Sequence, residues 1–257
     1  MSWWEILIVV VAGVWAGGIN TVVGSGTLVT FPTLLALGVP PVTANMSNSL
    51  GLVAGGITGT WGYLPELRGA SRFVARLIPM SLVGAVTGAL LLLWLPPEAF
   101  EAVVPVLIGL GVLLVIFGPR IQARARRHHV EGSPDPTWHV VALMAGVLVA
   151  GIYGGYFGAA QGVILMGLLS TLSTEPLQRL NGVKNVLGTI VNAIGSLVFV
   201  VVSPELISWS IALMVGVGAL LGGVIGARVG RRLPPNVLRA VIVVIGVVGI
   251  VKMVFFP

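Results

Sequence analysis

Six stretches of this chain run for about 20 residues with no more than two charges each, the length a helix needs to cross the ~30 Å hydrocarbon core of a bilayer. They cover residues 44–64, 72–94, 98–118, 181–202, 206–228 and 236–255. Only 9% of the 257 residues are charged and 56% are hydrophobic. Water-soluble domains carry about 25% charged residues. A surface this poor in charge has lipid as its main solvent, so the fold class is an all-α polytopic membrane protein.

The remaining apolar sequence is unusual. Trp3–Leu37 and His139–Leu172 are as apolar as the spans but are broken by glycine and polar residues, as in "AGVWAGGINTVVGSGTLVTFP" and "GIYGGYFGAAQG". Each is too long for one crossing and short for two. Each therefore reads as a helical hairpin with two arms of about 16 residues, roughly 24 Å each at 1.5 Å per residue. Irregular backbone at membrane depth is tolerated only inside protein or beside a water-filled cavity. The tips are expected at Gly17–Thr27 and Gly151–Gly162.

The two halves match each other. "PEL" at Pro65–Leu67 recurs at Pro204–Leu206, and "NSLG" at Asn48–Gly51 matches "NVLG" at Asn185–Gly188. "LPP" at Leu95–Pro97 recurs at Leu233–Pro235, and Gly84 and Gly88 correspond to Gly222 and Gly226. These matches keep their order at an offset of 137 to 139, the pattern of an internal duplication. The expected units are a first repeat at 1–118, a basic linker at 119–137 and a second repeat at 138–257.

Arginine and lysine placement selects a topology, because cytoplasmic loops are enriched in both. If each broken stretch crosses once, eight of the 14 basic residues lie inside and six outside. If each goes in and returns, the second repeat is inverted, thirteen lie inside and only Lys252 lies outside. The second arrangement obeys the rule, so two inverted repeats are expected, each a glycine-broken hairpin plus three transmembrane helices. The linker then faces the cytoplasm of a plasma (inner) membrane and both termini face outside. The first apolar stretch lacks a basic start and carries Glu5, so it is expected to remain in the mature protein rather than act as a signal peptide.

Several chemistries lack their residues. There is no cysteine, and His128, His129 and His139 all sit in or beside the linker. No span contains Asp, and Glu5, Glu66, Glu175 and Glu205 fall near predicted ends. No metal site, Ser/His/Asp set or buried carboxylate relay is legible, so neither an enzyme nor a cofactor is expected. The net charge of +6 reports orientation rather than nucleic-acid binding.

The polar residues that remain suit a small anion. Glycines at a tip permit the turn and close approach of backbone amides, and a helix that begins after it offers N–H groups and a positive dipole end. Asn20, Gly24, Ser25, Gly26, Thr27 and Gln161 are the tip candidates, with Gly158 and Gly162 shaping the second tip. Asn45 and Asn48 share a face of the first span after hairpin one. Asn181, Lys184 and Asn185 share the corresponding face after hairpin two. Lys184 either neutralises substrate inside the membrane or snorkels to the interface.

At these residues the chain resembles the sulfite exporter (TauE/SafE) family of membrane permeases, also called TSUP. The likeness rests on "GSGTLVTFP", "ANMSNSLG" and the duplication around a basic linker. It implies transport of sulfite, sulfonates or related organosulfur anions. It assigns substrate contact or tip structure to Gly24, Gly26, Pro32, Asn45 and Asn48, with Asn185 as repeat counterpart. The expected function is therefore a secondary transporter exporting small anions by alternating access between the two tips. A gated anion channel or an uptake permease would use the same donors. The expected partners are the anion, the lipid bilayer and a second copy of the chain.

Overall fold

The computed structural model describes residues 2–126 and 137–230, together with 240, 242–245, 247, 248 and 251. Among these, no strand occurs. The helices are α1 (Trp3–Val22), α2 (Thr27–Ala36), α3 (Pro41–Gly62), α4 (Ser71–Trp94), α5 (Pro97–Arg126), α6 (Thr137–Tyr156), α7 (Gln161–Leu172), α8 (Leu177–Val202) and α9 (Trp209–Ile225). A 3-10 turn at Pro204–Leu206 precedes α9, and a π turn at Gly226–Gly230 follows it.

Among the described residues, six helical segments are long and apolar enough to cross a membrane: Trp3–Val22, Ser71–Trp94, Pro97–Arg120, Trp138–Tyr156, Leu177–Val202 and Trp209–Arg228. Helix α3 is equally long, at 22 residues, but it carries asparagine, serine, threonine and glycine, and much of that polar face is buried in protein. The expected span at 236–255 falls largely outside the described residues, as do 127–136 of the linker.

Both broken stretches are hairpins, but their arms are unequal, which corrects the expectation of two 16-residue arms. Helix α1 has 20 residues and α2 only 10; α6 has 20 and α7 only 12. At 1.5 Å per residue the first arm spans about 30 Å and the second about 15–18 Å. The breaks fall at 23–26 and 157–160, the C-terminal ends of the expected tips. Gly24 (φ +87°) and Gly158 (φ +76°) supply the left-handed backbone that ends each long arm. The amides after each arm close on one carbonyl: those of Val23 and Gly24 donate to Ile19 O, and those of Phe157 and Gly158 to Tyr153 O. The glycine-rich sequence upstream of each break stays helical because those glycines serve packing, not turning.

That packing is very close. Helix α1 lies along α9, and α6 lies along α4. A Cβ at Gly222 would stand 2.0 Å from Val14 O, and one at Gly226 2.8 Å from Gly18 O. On the other side, a Cβ at Gly84 would stand 2.6 Å from Leu148 O, and one at Gly88 2.0 Å from Ile152 O. Backbones in van der Waals contact are how membrane helices associate when lipid removes any hydrophobic drive between them. The same glycines that match in sequence thus meet matching partners, at a constant shift along each helix.

The core over the breaks is aromatic. Phe31 of α2 meets Phe157 of the second break edge-on at 5.0 Å between ring centroids, and Phe100 of α5 lies 5.9 Å from Phe157. Edge-to-face pairs at this spacing add stabilisation beyond area burial.

Replacing Gly88 with Val should abolish a monodisperse peak in detergent size-exclusion chromatography, since the clash is with backbone. Gly167→Ala, where a Cβ meets nothing within 4 Å, should behave like the wild type.

Candidate functional site

The two breaks touch. The amide of Gly162, at the start of α7, donates to the carbonyl of Gly24 at 2.9 Å. A Cβ on either glycine would stand 2.4 Å from the other's Cα. Beside this contact lies a narrow cavity of about 20 Å³, lined by both breaks and by α3 and α8. A volume of that order admits a water-sized guest.

Of the residues singled out from sequence, Asn20, Gly24, Thr27, Gly158, Gln161, Gly162, Lys184 and Asn185 line the cavity. Lys184 does not snorkel. It is 2% exposed, and its Nζ donates to Asn20 O at 3.3 Å and Thr21 O at 3.1 Å. Asn185 Nδ2 donates to the same Thr21 carbonyl at 3.2 Å. These carbonyls belong to the last turn of α1, where the helix has no partners of its own for them and the dipole end is negative. Lys184 Nζ is thus held inside the protein by neutral acceptors, and among the described residues no acidic one lines the cavity.

Gln161 is 5% exposed, and its Nε2 is buried without a hydrogen-bond partner. Its amide lies where a side chain on Gly154 would be, 2.3 Å from a Cβ built there. A buried amide donor without a partner is costly unless something else completes it.

The backbone amides contribute less than expected. The amides at the start of both short helices are largely paired within the tips: Gly162 with Gly24, Gln161 with Gly158, and Leu28 with Ser25. The donors facing the cavity are therefore chiefly side chains.

Ser25, Gly26, Pro32, Asn45 and Asn48 do not line the cavity. Ser25 is buried, with its hydroxyl unpartnered. Gly26 precedes α2, where a Cβ would stand 2.4 Å from Ala16 O, and Pro32 is buried within α2. Asn48 pins the first turn of α2 to α3: its Nδ2 donates to Thr27 Oγ1 at 3.3 Å, and its Oδ1 accepts from Thr30 Oγ1. Asn45 Nδ2 donates to Tyr156 O at 3.0 Å, at the end of α6. Asn181 leaves the set and bonds the Tyr63 hydroxyl at 2.7 Å.

Sequence reasoning missed Thr21, Gly56, Gly59, Gly188, Thr189 and Asn192, which also line the cavity. Gly188 and Asn192 were legible, since they continue the Lys184 face at i+4 and i+8. Gly56 and Gly59 carry no such signal. They let the hydroxyls of Thr189 and Thr21 approach α3, each standing 2.5 Å from a Cβ built on the glycine.

Residues 9–253 match the family described as "Sulfite exporter TauE/SafE". The chain belongs to this family. It is 28% identical over 248 residues to the "Probable membrane transporter protein YfcA" of Escherichia coli (strain K12), covering 93% of this chain and 86% of that one. It is 25% identical to "Probable membrane transporter protein ORF9" of Sinorhizobium sp, over 96% and 91% of the two chains. A "Probable membrane transporter protein" of Haemophilus influenzae is also 25% identical, over 93% and 91%. No solved structure matches. As a TauE/SafE member with six membrane-length helices, the chain is a multi-pass membrane protein of a transporter family.

Gly24→Ala tests the contact between the breaks. It should lower the thermal unfolding midpoint in detergent, because alanine at positive φ costs about 1–2 kcal/mol before any clash with Gly162. A larger loss than Gly158→Ala, where a Cβ would stand 3.0 Å from Gly154 O, is expected.

Proposed function

We propose that this chain is a secondary transporter that exports small anions, with sulfite, short sulfonates and related organosulfur anions as its substrate class. The observation that carries this reading is the buried side chain of Lys184, which brings a positive charge into the cavity when protonated. A charge inside the membrane needs a counter-charge. The carbonyls of Asn20 and Thr21 are dipoles, not charges, and the cavity has no carboxylate. An anion entering as the cavity widens during the transport cycle would complete the site: Lys184, Gln161, Asn20, Thr27 and Asn192 line it.

The mechanism is alternating access around this site. The contact between Gly162 and Gly24 closes the space between the breaks, as a carrier in one occluded or one-sided state requires and a continuous pore does not. Two inverted repeats provide the moving parts. Support comes from the paired glycine contacts of α1 with α9 and α6 with α4, and from the asymmetry of basic residues. On this topology the linker faces the cytoplasm of the plasma membrane, and both termini face outside.

Two experiments test the reading. In proteoliposomes the wild type should show saturable uptake and counterflow of labelled sulfite or a short sulfonate. Lys184→Met should reduce kcat/KM by about 100-fold or more, the scale of a lost charge-assisted contact of about 3 kcal/mol. Lys184→Arg, which keeps the charge, should retain measurable flux; equal loss in both would assign Lys184 to folding alone. Single cysteines introduced at Pro97 and Pro235 should react from opposite sides of the membrane, with no background because the chain has no cysteine. Labelling from one side would refute the inverted repeat.

A further inference from the structure

Six glycines line the cavity, and five of them have a local reason to be glycine. A Cβ on Gly24 or Gly162 would strike the opposite break, 2.4 Å away. One on Gly56 or Gly59 would stand 2.5 Å from a threonine hydroxyl, and Gly158 has positive φ with Gly154 O at 3.0 Å. Gly188 has no such reason. It lies inside α8, its φ is not positive, and a Cβ built there meets nothing within 4 Å among the described residues.

Glycine in a helix interior costs about 1 kcal/mol relative to alanine. At Gly188 neither packing nor backbone geometry offsets that cost, and the empty space in front of it is the cavity itself. Its position is informative too. Lys184, Gly188 and Asn192 follow one another at intervals of four, so they form one row on α8, about 12 Å from end to end at 1.5 Å per residue. The row runs from an ammonium, across a bare backbone, to a carboxamide. Gln161 lines the same cavity, and its buried side-chain Nε2 has no hydrogen-bond partner among the described residues.

We propose that Gly188 is the specificity-determining residue of this transporter: the substrate anion lies against the bare α8 backbone there, and the absent side chain sets the bulk that can pass between Lys184 and Gln161. This rests on the anion-transport reading above and adds to it a position and a size rule. Anions with an organic tail depend on the glycine more steeply than compact oxyanions do.

The test uses the full chain in proteoliposomes with sulfite, methanesulfonate and 2-hydroxyethanesulfonate. Gly188→Ala and Gly188→Val should fold, with a thermal midpoint no lower than the wild type for alanine. Gly188→Val should lower kcat/KM for all three anions, and by about 10- to 100-fold more for 2-hydroxyethanesulfonate than for sulfite, the scale on which one or two methyl groups discriminate in a tight pocket. Equal loss for all three anions, or no loss for any, overturns the size rule.

A second variant reads position without relying on flux. Gly188→Cys, the only thiol in the chain, should react with the anionic reagent 2-sulfonatoethyl methanethiosulfonate, and the transported anions should slow that reaction. No modification, or modification that the transported anions do not slow, overturns the assignment while leaving anion transport standing. A wild type that carries none of the three anions overturns the transport reading and this one with it, and is distinguished by failing before any substitution is made.

Discussion

Each long hairpin arm ends inside the protein, and a side chain from the opposite half of the chain donates to its last carbonyls. Lys184 and Asn185 of α8 bond Asn20 O and Thr21 O at the end of α1. Asn45 of α3 bonds Tyr156 O at the end of α6. A buried carbonyl without a partner costs several kcal/mol, so such caps stabilise helices that break inside the protein. The caps cross between halves, so neither hairpin is complete without the other half. The bond from Gly162 to Gly24 then joins the two breaks directly.

On the proposed reading, this arrangement joins stability to function at one residue. The ammonium that caps α1 is also the cavity's one positive charge. A bound anion would share that ammonium with the carbonyls of Asn20 and Thr21, so occupancy of the cavity and the hold on the end of α1 are linked. Linkage of this kind is what a carrier needs, because a ligand shifts a conformational balance only through contacts that differ between states. Outside the cavity, glycine-mediated contact of α1 with α9 and of α4 with α6 provides smooth surfaces. The aromatic cluster of Phe31, Phe100 and Phe157 ties α2 and α5 to the second break.

Much of the fold was legible because its physical causes are local. Apolar length gives the spans, and glycine-rich interruption gives the hairpins. The boundaries of the hairpins were misjudged because glycine has two uses that look alike in sequence. Gly24 and Gly158 turn the chain. Gly17 and Gly155 instead let helices touch, with Cβ positions 2.2 Å from Ala219 O and 2.4 Å from Ala85 O. Only the neighbouring helix tells the two apart. The same holds for asparagine: Asn48 fastens α2 to α3 and Asn45 caps α6, whereas Asn185 lines the cavity.

The sequence by itself determined that the chain lives in a bilayer, that two apolar stretches are broken, and that Lys184 is a charge within a span. Those properties follow from composition and from spacing along one helix. The tertiary structure decided that the breaks meet, that Lys184 turns inward to the end of α1 rather than outward to the interface, and that Gly188 faces open space. Each of those depends on a partner more than 130 residues away in sequence or on the absence of any neighbour. Neither is written in the pattern of a single segment, because in a membrane the close approach of backbones, not hydrophobicity, selects which helices pair.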